Sequence, residues 1–332
     1  MMQYEGEASA PHKGFIHSAL IYGSDDAFMD VALPFVERGM AAGEPTLVAV
    51  QPANVENLRG ALGGEPEGVT LLSVDEWYES SARSREKFAR WVEERSDAGR
   101  VRLMGEAARA RLIGEAPWAV GYDAQIRDWA RHESVTNVAF EDTPVSFMCP
   151  YDARVLPPEV IKYARHTHPV IDGPDGPAPS DAYEDPHDFC RRLNSDVRKP
   201  EGEPSALLDF NLADLRTVRR LVTAMAVDSG LPGSRADELA LAVNEIASNA
   251  VVHGQPPATL RIWRGDGELI CEVSDDGDGI KDVLAGQLTP PKEGIGGRGI
   301  WLTRMLCDAV EIRNGVGCTV SMRAVAPALA LA

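Results

Sequence analysis

From Phe15 to Ile171 short apolar runs alternate with amphipathic stretches. FIHSALIY, TLVAVQP, VTLLSV, RVRLMGE and VSFMCP predict strands. AFMDVALPFVERGMAAG, NVENLRGALG, the Trp77–Arg95 and Tyr122–Asn137 stretches and PEVIKYARH predict helices. This alternation predicts an α/β domain over residues 15–172, with a mostly parallel sheet covered on both faces. Such sheets take ligands at the carboxyl ends of their strands. That edge would carry Tyr22 to Asp25, Gln51, Glu106 and Cys149 to Asp152. Residues 1–14 show no such pattern and predict a disordered N-terminus.

Residues 173–204 turn to Pro, Gly, Ser and Asp, which predicts a linker with one short helix, HDFCRRLN. Beyond it the pattern is α+β over residues 205–326. A strand ends at Phe210. An amphipathic helix, Leu212–Val227, carries Arg216, Arg219 and Arg220. Ser234–Gly254 predicts a long helix with Ser234 as cap and Asp237 three residues on. Leu239, Ala242, Val243, Ile246 and Ala250 form its buried stripe, and Gly254 is expected to end it in the left-handed conformation. Two apolar runs joined by Gly265-Asp266-Gly267 predict a hairpin. Its second strand empties into Asp275-Asp276-Gly277-Asp278-Gly279. A glycine cluster from Gly294 to Gly299 then opens a second helix, and TVSMRAV is a last strand.

The chain has 332 residues, 44% hydrophobic and 25% charged, enough for two domains with cores. A net charge of −18 argues against direct nucleic-acid binding and against an anionic membrane surface. No run approaches membrane-span length and no signal-peptide pattern opens the chain. Five cysteines, an odd number without a CxxC pair, predict buried thiols in a reducing cytoplasm.

Glu245 and Asn249 one turn apart on a helix, a strand ending in Asp-x-Gly-x-Gly, and a glycine loop opening a helix resemble, in that order, the motif boxes of the GHKL (Bergerat-fold) ATP-binding family. That family includes histidine kinases, gyrase-type ATPases and anti-sigma serine kinases. The resemblance implies an ATP site with Mg²⁺. Asn249 matches the metal position, Glu245 the general base, and Asp275 the residue that accepts from the adenine amino group. Gly277 and Gly279 would let the backbone approach the base. Gly294, Gly296, Gly297, Arg298 and Gly299 would form a lid over the phosphates, ending at a helix N-terminus suited to anions. Arg216 matches an arginine of the helix that docks partners in the anti-sigma kinases.

His17-x-x-x-x-Tyr22, GMAAGEPTLVAV, Met104-Gly105-Glu106, His132-Glu133 with Asn137, Cys149-Pro150-Tyr151-Asp152 and Thr167-His168-Pro169 resemble the MEDS sensory domain. The outline is also RecA-like, but the loop YGSDDAF lacks the glycines and lysine of a Walker loop, so no nucleotide hydrolysis is expected there. His17, Tyr22, Glu106, His132, Asn137, Cys149, Tyr151, Asp152 and His168 are candidates for a small-ligand or metal pocket. His166, His168 and Cys149 are suitable ligand types, spaced unlike a zinc motif.

Together the resemblances imply a cytoplasmic serine/threonine protein kinase of the anti-sigma type. It would sequester a sigma factor and phosphorylate an anti-anti-sigma (STAS) protein under control of the sensory half, as a homodimer. Two alternatives stand beside it. One is a non-catalytic ATP-dependent binding switch. The other is a histidine kinase using His187, which sits in a short helix closed by Pro200 and Pro204.

Overall fold

The computed structural model describes residues 14–78, 81–95, 99–105, 119–197, 199–290 and 297–326. They fall into two units that interleave along the chain. The first takes residues up to Trp77, Phe88–Ala107 and Thr136–Tyr183. The second takes Tyr78–Lys87, Ala108–Val135 and everything from Glu184.

In the first unit, β1 (Ile16–Tyr22), β2 (Thr46–Val50), β3 (Val69–Ser73), β4 (Val101–Gly105), β5 (Val145–Asp152), β6 (Val170–Asp172) and β7 (Ala178–Pro179) form one sheet. Its order is β3-β2-β4-β5-β1-β6-β7. Every pairing is parallel except that of β6 with β7. The apolar runs sit where the pattern places them, because a parallel sheet buried on both faces needs continuous apolar strands. Leu20, Tyr22, Val48, Val50, Met104 and Met148 pack one face against Phe28, Phe35 and Val36 of the Asp25–Ala42 helix. That helix starts where Ser24 accepts from the Ala27 amide at 3.1 Å and ends at Gly43, whose φ is 67°. On the opposite face His17 and Ala19 of β1 stand beside Phe147 and Cys149 of β5.

Cys149 to Asp152 are the last four residues of β5, at the carboxyl end of the strand as expected. β5 continues to Asp152 alongside β1, while its pairing with β4 stops at Met148. Pro150 therefore sits where β5 has lost one ladder, which removes the cost of its missing N–H.

The second unit is an antiparallel sheet in the order β11-β12-β10-β9-β8. Its strands are β8 (Ala206–Phe210), β9 (Ala258–Gly265), β10 (Glu268–Asp275), β11 (Ala309–Gly315) and β12 (Gly317–Val325). Asp266-Gly267 turns β9 into β10, with Gly267 at φ 67°. The helices Leu215–Asp228 and Gly233–His253 bury Val218, Val222, Leu239, Val243, Ile246 and Ala250 against Leu260, Ile262, Leu269, Cys271, Val273 and Val320. The long helix starts at Gly233 with Pro232 in the cap position and no side-chain cap, so Ser234 is not the cap. Pro232 has φ −56°, already set for helix entry.

Alternate residues on β10 to β12 face the other way and carry charge. Arg323 donates to Glu268 at 2.6 Å, and Arg313 to Glu272 at 2.7 Å. Glu311 accepts from Arg127 at 2.7 Å, and Asp128 lies 3.5 Å from Arg304. The latter pairs tie residues 119–135 to the second unit. The Pro186–Ser195 helix, expected within a linker, buries Phe189, Cys190 and Leu193 completely, and it packs on β11. Residues 173–204 also hold the two-residue β7, paired to β6. Among the described residues no helix is long and apolar enough to cross a membrane.

Candidate functional site

The Gly233–His253 helix stops where its last turn meets the end of β10. Gly254 has φ −86° and ψ −158°, extended and not left-handed as expected. Its glycine identity has another cause. A β-carbon there would lie 2.4 Å from the Ala250 carbonyl oxygen and 2.4 Å from Asp275 Oδ1. Asp275 Oδ1 also accepts from the Gly277 amide at 2.8 Å, which holds the carboxylate across the helix end. A β-carbon on Gly277 would lie 2.8 Å from the Gly254 Cα. Gly254, Asp275 and Gly277 therefore form one close-packed corner.

Gly279 continues the turn at φ 74°. Asn314, on β11, braces it: Oδ1 accepts from Ile280 N at 3.0 Å and Nδ2 donates to Ile280 O at 2.6 Å. Sequence reading misses Asn314, since nothing local marks a side chain that holds a loop two strands away.

Glu245 and Asn249 are both half-buried, one turn apart. The structure brings Gly299 to both. A β-carbon on it would lie 3.2 Å from Asn249 Nδ2 and 3.2 Å from Glu245 Oε2. Gly297, at φ 74°, starts the Arg298–Leu306 helix. Thr303 Oγ1 donates to the Gly299 carbonyl at 2.8 Å and approaches the Ala242 carbonyl at 3.4 Å, fastening this helix to the longer one. The first amides of the Arg298–Leu306 helix thus open beside the Glu245–Asn249 face. Arg298 is exposed. Gly294 and Gly296 lie outside the described residues.

A cavity of about 250 Å³ opens between these parts. Ile246, Val273, Ile280, Ile300 and Val320 supply apolar walls; Asp275, Asn249, Asp278 and His253 supply polar groups. Gly254, Gly279, Gly297 and Gly299 border it. Cys318 lines it too, its thiol pushed up to about 11 by burial. An apolar slot with a few placed polar groups at its ends is the usual form of a small-molecule site. Flat apolar walls with a carboxylate at one end suit a heteroaromatic base carrying an amino group. A neutral amide beside helix amides at the other end suits phosphate and a hard cation. The residues present therefore fit a nucleotide with a divalent metal.

A second concavity lies on the Leu215–Asp228 helix. Arg216, Arg219 and Arg220 line it with Leu215, Thr223, Ala224 and Asn244, and all three arginines reach solvent. Asn244 precedes Glu245 on the long helix. His187 is exposed in the first turn of a ten-residue helix, whose cap Asp185 accepts from the His187 amide at 2.9 Å.

The candidates of the first unit divide. His17, Asn137, Cys149, Tyr151 and His168 gather on one face of the sheet. His17 and His168 ring centroids are 4.0 Å apart, and Tyr151 meets His168 edge-on at 5.6 Å. Tyr22 and Asp152 stand in register on the opposite face. There the Tyr22 hydroxyl accepts from Asn54 at 3.1 Å, and Arg154 bonds Asp152 at 2.8 Å. Desolvation pushes the Asp152 carboxyl up, but the hydrogen bonds from Arg154 outweigh it and hold the group below its usual range. His132 turns to Arg85, 3.0 Å away, within the second unit. Glu106 lies outside the described residues.

Comparison with known proteins places both halves. No curated protein matches the chain. Among solved structures, the RsbU and RsbW domains of a Mycobacterium tuberculosis protein share 21% identity over 39% of this chain, with a TM-score of 0.28. The chain covers 33% of that protein. The histidine kinase domain of a blue-light activated histidine kinase from Erythrobacter litoralis shares 19% identity over 43% of this chain and 72% of its own, with a TM-score of 0.25. Family profiles match two segments. One is the MEDS family, described as MEthanogen/methylotroph, DcmR Sensory domain, and the other is the histidine kinase-like ATPase domain. Residues 16–169 are a MEDS domain, and residues 208–324 are a histidine kinase-like ATPase domain of the GHKL type.

Proposed function

We propose that the ATPase-type domain binds Mg-ATP and acts as a serine/threonine kinase of the anti-sigma type, governed by the MEDS domain. One observation carries this reading: Glu245, Asn249 and Gly299 meet beside a cavity with apolar walls that Asp275 also lines. Asp275 accepts from the adenine amino group. Gly254, Gly277 and Gly279 keep the backbone close to the base. Asn249 offers its amide oxygen to the metal, and the amides from Gly297 to Gly299, with Arg298 and the Gly294–Gly296 stretch, hold the phosphates. Magnesium, when bound, neutralises charge on the transferring phosphoryl group.

In the transfer itself a serine hydroxyl of the partner attacks the γ-phosphorus. The new O–P bond forms, the bond to the β-phosphate oxygen breaks, and ADP leaves. Glu245 takes the hydroxyl proton. Its place beside Gly299, away from the cavity walls, supports that role.

The partner is an anti-anti-sigma protein of the STAS type, and a sigma factor is the sequestered client. Arg216, Arg219 and Arg220 form a basic concavity on a chain of net charge −18, which favours an acidic docking surface. The protein works in the cytoplasm as a homodimer.

Control by the MEDS half has a structural support. Residues 83–86 fall inside the MEDS match, yet they belong with the second unit. Arg83 donates to the Met305 carbonyl at 2.8 Å, Arg85 to the Gln287 carbonyl, and Thr289 to Glu86 at 2.8 Å. These three bonds bracket the lid sequence on both sides. A signal that shifts this segment biases the lid, provided it binds the two states unequally. Incubation with labelled ATP and a STAS partner tests the reading. Acid-stable label on the partner's serine is expected; acid-labile label on this chain at His187 would overturn it.

A further inference from the structure

His17, Cys149 and His168 are buried in the first unit, and each presents a ligand atom within 4.8 Å of the others. From the sequence, His166, His168 and Cys149 offer suitable ligand types, though spaced unlike a zinc motif. The fold instead brings in His17, because β1 and β5 are adjacent and parallel and place His17 and Cys149 on one face.

The hydrogen bonds fix which nitrogen of each imidazole is protonated. His168 Nδ1 lies 2.8 Å from the Ala164 carbonyl oxygen. A carbonyl can only accept, so Nδ1 carries the proton. Asn137 Nδ2 donates to the Thr167 carbonyl at 2.8 Å, which turns Asn137 Oδ1 toward His17 Nδ1 at 3.1 Å. That nitrogen carries the proton as well. In both neutral rings the lone pair then sits on Nε2. His17 Nε2 is 3.5 Å from Cys149 Sγ.

That separation has a meaning in coordination chemistry. A tetrahedral zinc with Zn–N of about 2.0 Å and Zn–S of about 2.3 Å has an N···S edge of roughly 3.5 Å. The Ala164 carbonyl and Asn137 are also the kind of partner that metal-bound imidazoles keep on their second nitrogen. We infer that His17, Cys149 and His168 bind a thiophilic divalent cation of the zinc class. A thiol and two imidazoles exclude magnesium and calcium, which take oxygen ligands. The Cys149 thiol gives up its proton on binding. Asn137 is a positioning residue that holds the His17 ring. The site is independent of the nucleotide pocket, so it stands or falls separately.

The test uses the purified full chain, stripped by chelator and titrated with Zn²⁺ alone, then with Co²⁺ as a spectroscopic probe. The expected result is one bound cation per chain and a thiolate-to-cobalt charge-transfer band. Cys149→Ser abolishes the band, and Asn137→Ala weakens affinity by about 10–100-fold. Should the variants not fold, mapping of alkylated thiols in the wild-type protein decides: the metal must protect Cys149 selectively. Wild-type protein without the cobalt–thiolate band, a band that persists in folded Cys149→Ser, or protection of another cysteine would each overturn the inference.

Discussion

Gly254 and Asp275 touch: a β-carbon on the glycine would lie 2.4 Å from the aspartate Oδ1. The contact joins the end of the long helix to the end of β10, and both line the same cavity. Gly254→Ala must push Asp275 aside or open the helix end, because the Ala250 carbonyl is equally close. The expected cost is about 1–3 kcal/mol of stability, as for other overpacked sites. ATP affinity should fall with it, since the carboxylate is displaced. Thermal melts and calorimetry check both effects; a Gly254→Ala protein as stable and as tight-binding as wild type would show that the corner is not close-packed.

Glu245→Gln separates catalysis from binding. Loss of a general base lowers transfer to a partner serine by about 10²–10⁴-fold. Asn249 and Asp275 are untouched, so ATP affinity should stay nearly constant. Retained transfer would remove Glu245 from the chemistry. Absent transfer in the wild-type protein, with intact ATP binding and partner binding, would favour the non-catalytic switch.

Thr289→Val probes the lid bracket. It removes the 2.8 Å bond to Glu86, at an exposed position where folding should be little affected. A bond of this kind contributes about 0.5–1.5 kcal/mol, so ATP affinity should shift by roughly two- to tenfold. Unchanged affinity and unchanged transfer rate would disconnect residues 83–86 from the lid.

Arg216→Glu with Arg219→Glu tests the docking concavity. Both side chains reach solvent, so melting temperature should hold. Partner binding should weaken strongly at low salt and less at high salt, as screening shortens the reach of charge. Equal loss at all salt concentrations would argue for a packing defect.

Much of this is legible in the sequence because the signals are local. Leu239, Val243, Ile246 and Ala250 announce their buried stripe through helical spacing. Strands β1 to β5, β8 to β10 and β12 follow from apolar runs and the Asp266-Gly267 turn, whereas β6, β7 and β11 go unread. The misreadings share a cause, which is dependence on distant residues. Gly254 reads as a left-handed helix stop, but Asp275 dictates it. Ser234 reads as a cap, yet Pro232 sets the entry. The placing of residues 119–135 with the second unit rests on Arg127 and Glu311, separated by 184 positions. No periodicity marks such a pair.

Titration calorimetry of the purified full chain with ATP and magnesium tests the central claim most directly. Saturable binding at one site per chain is predicted. It should be lost in Asp275→Ala, which removes the adenine acceptor, and should lose its magnesium dependence in Asn249→Ala. No binding heat from the folded wild-type protein at several temperatures, or binding indifferent to both substitutions, would contradict the account.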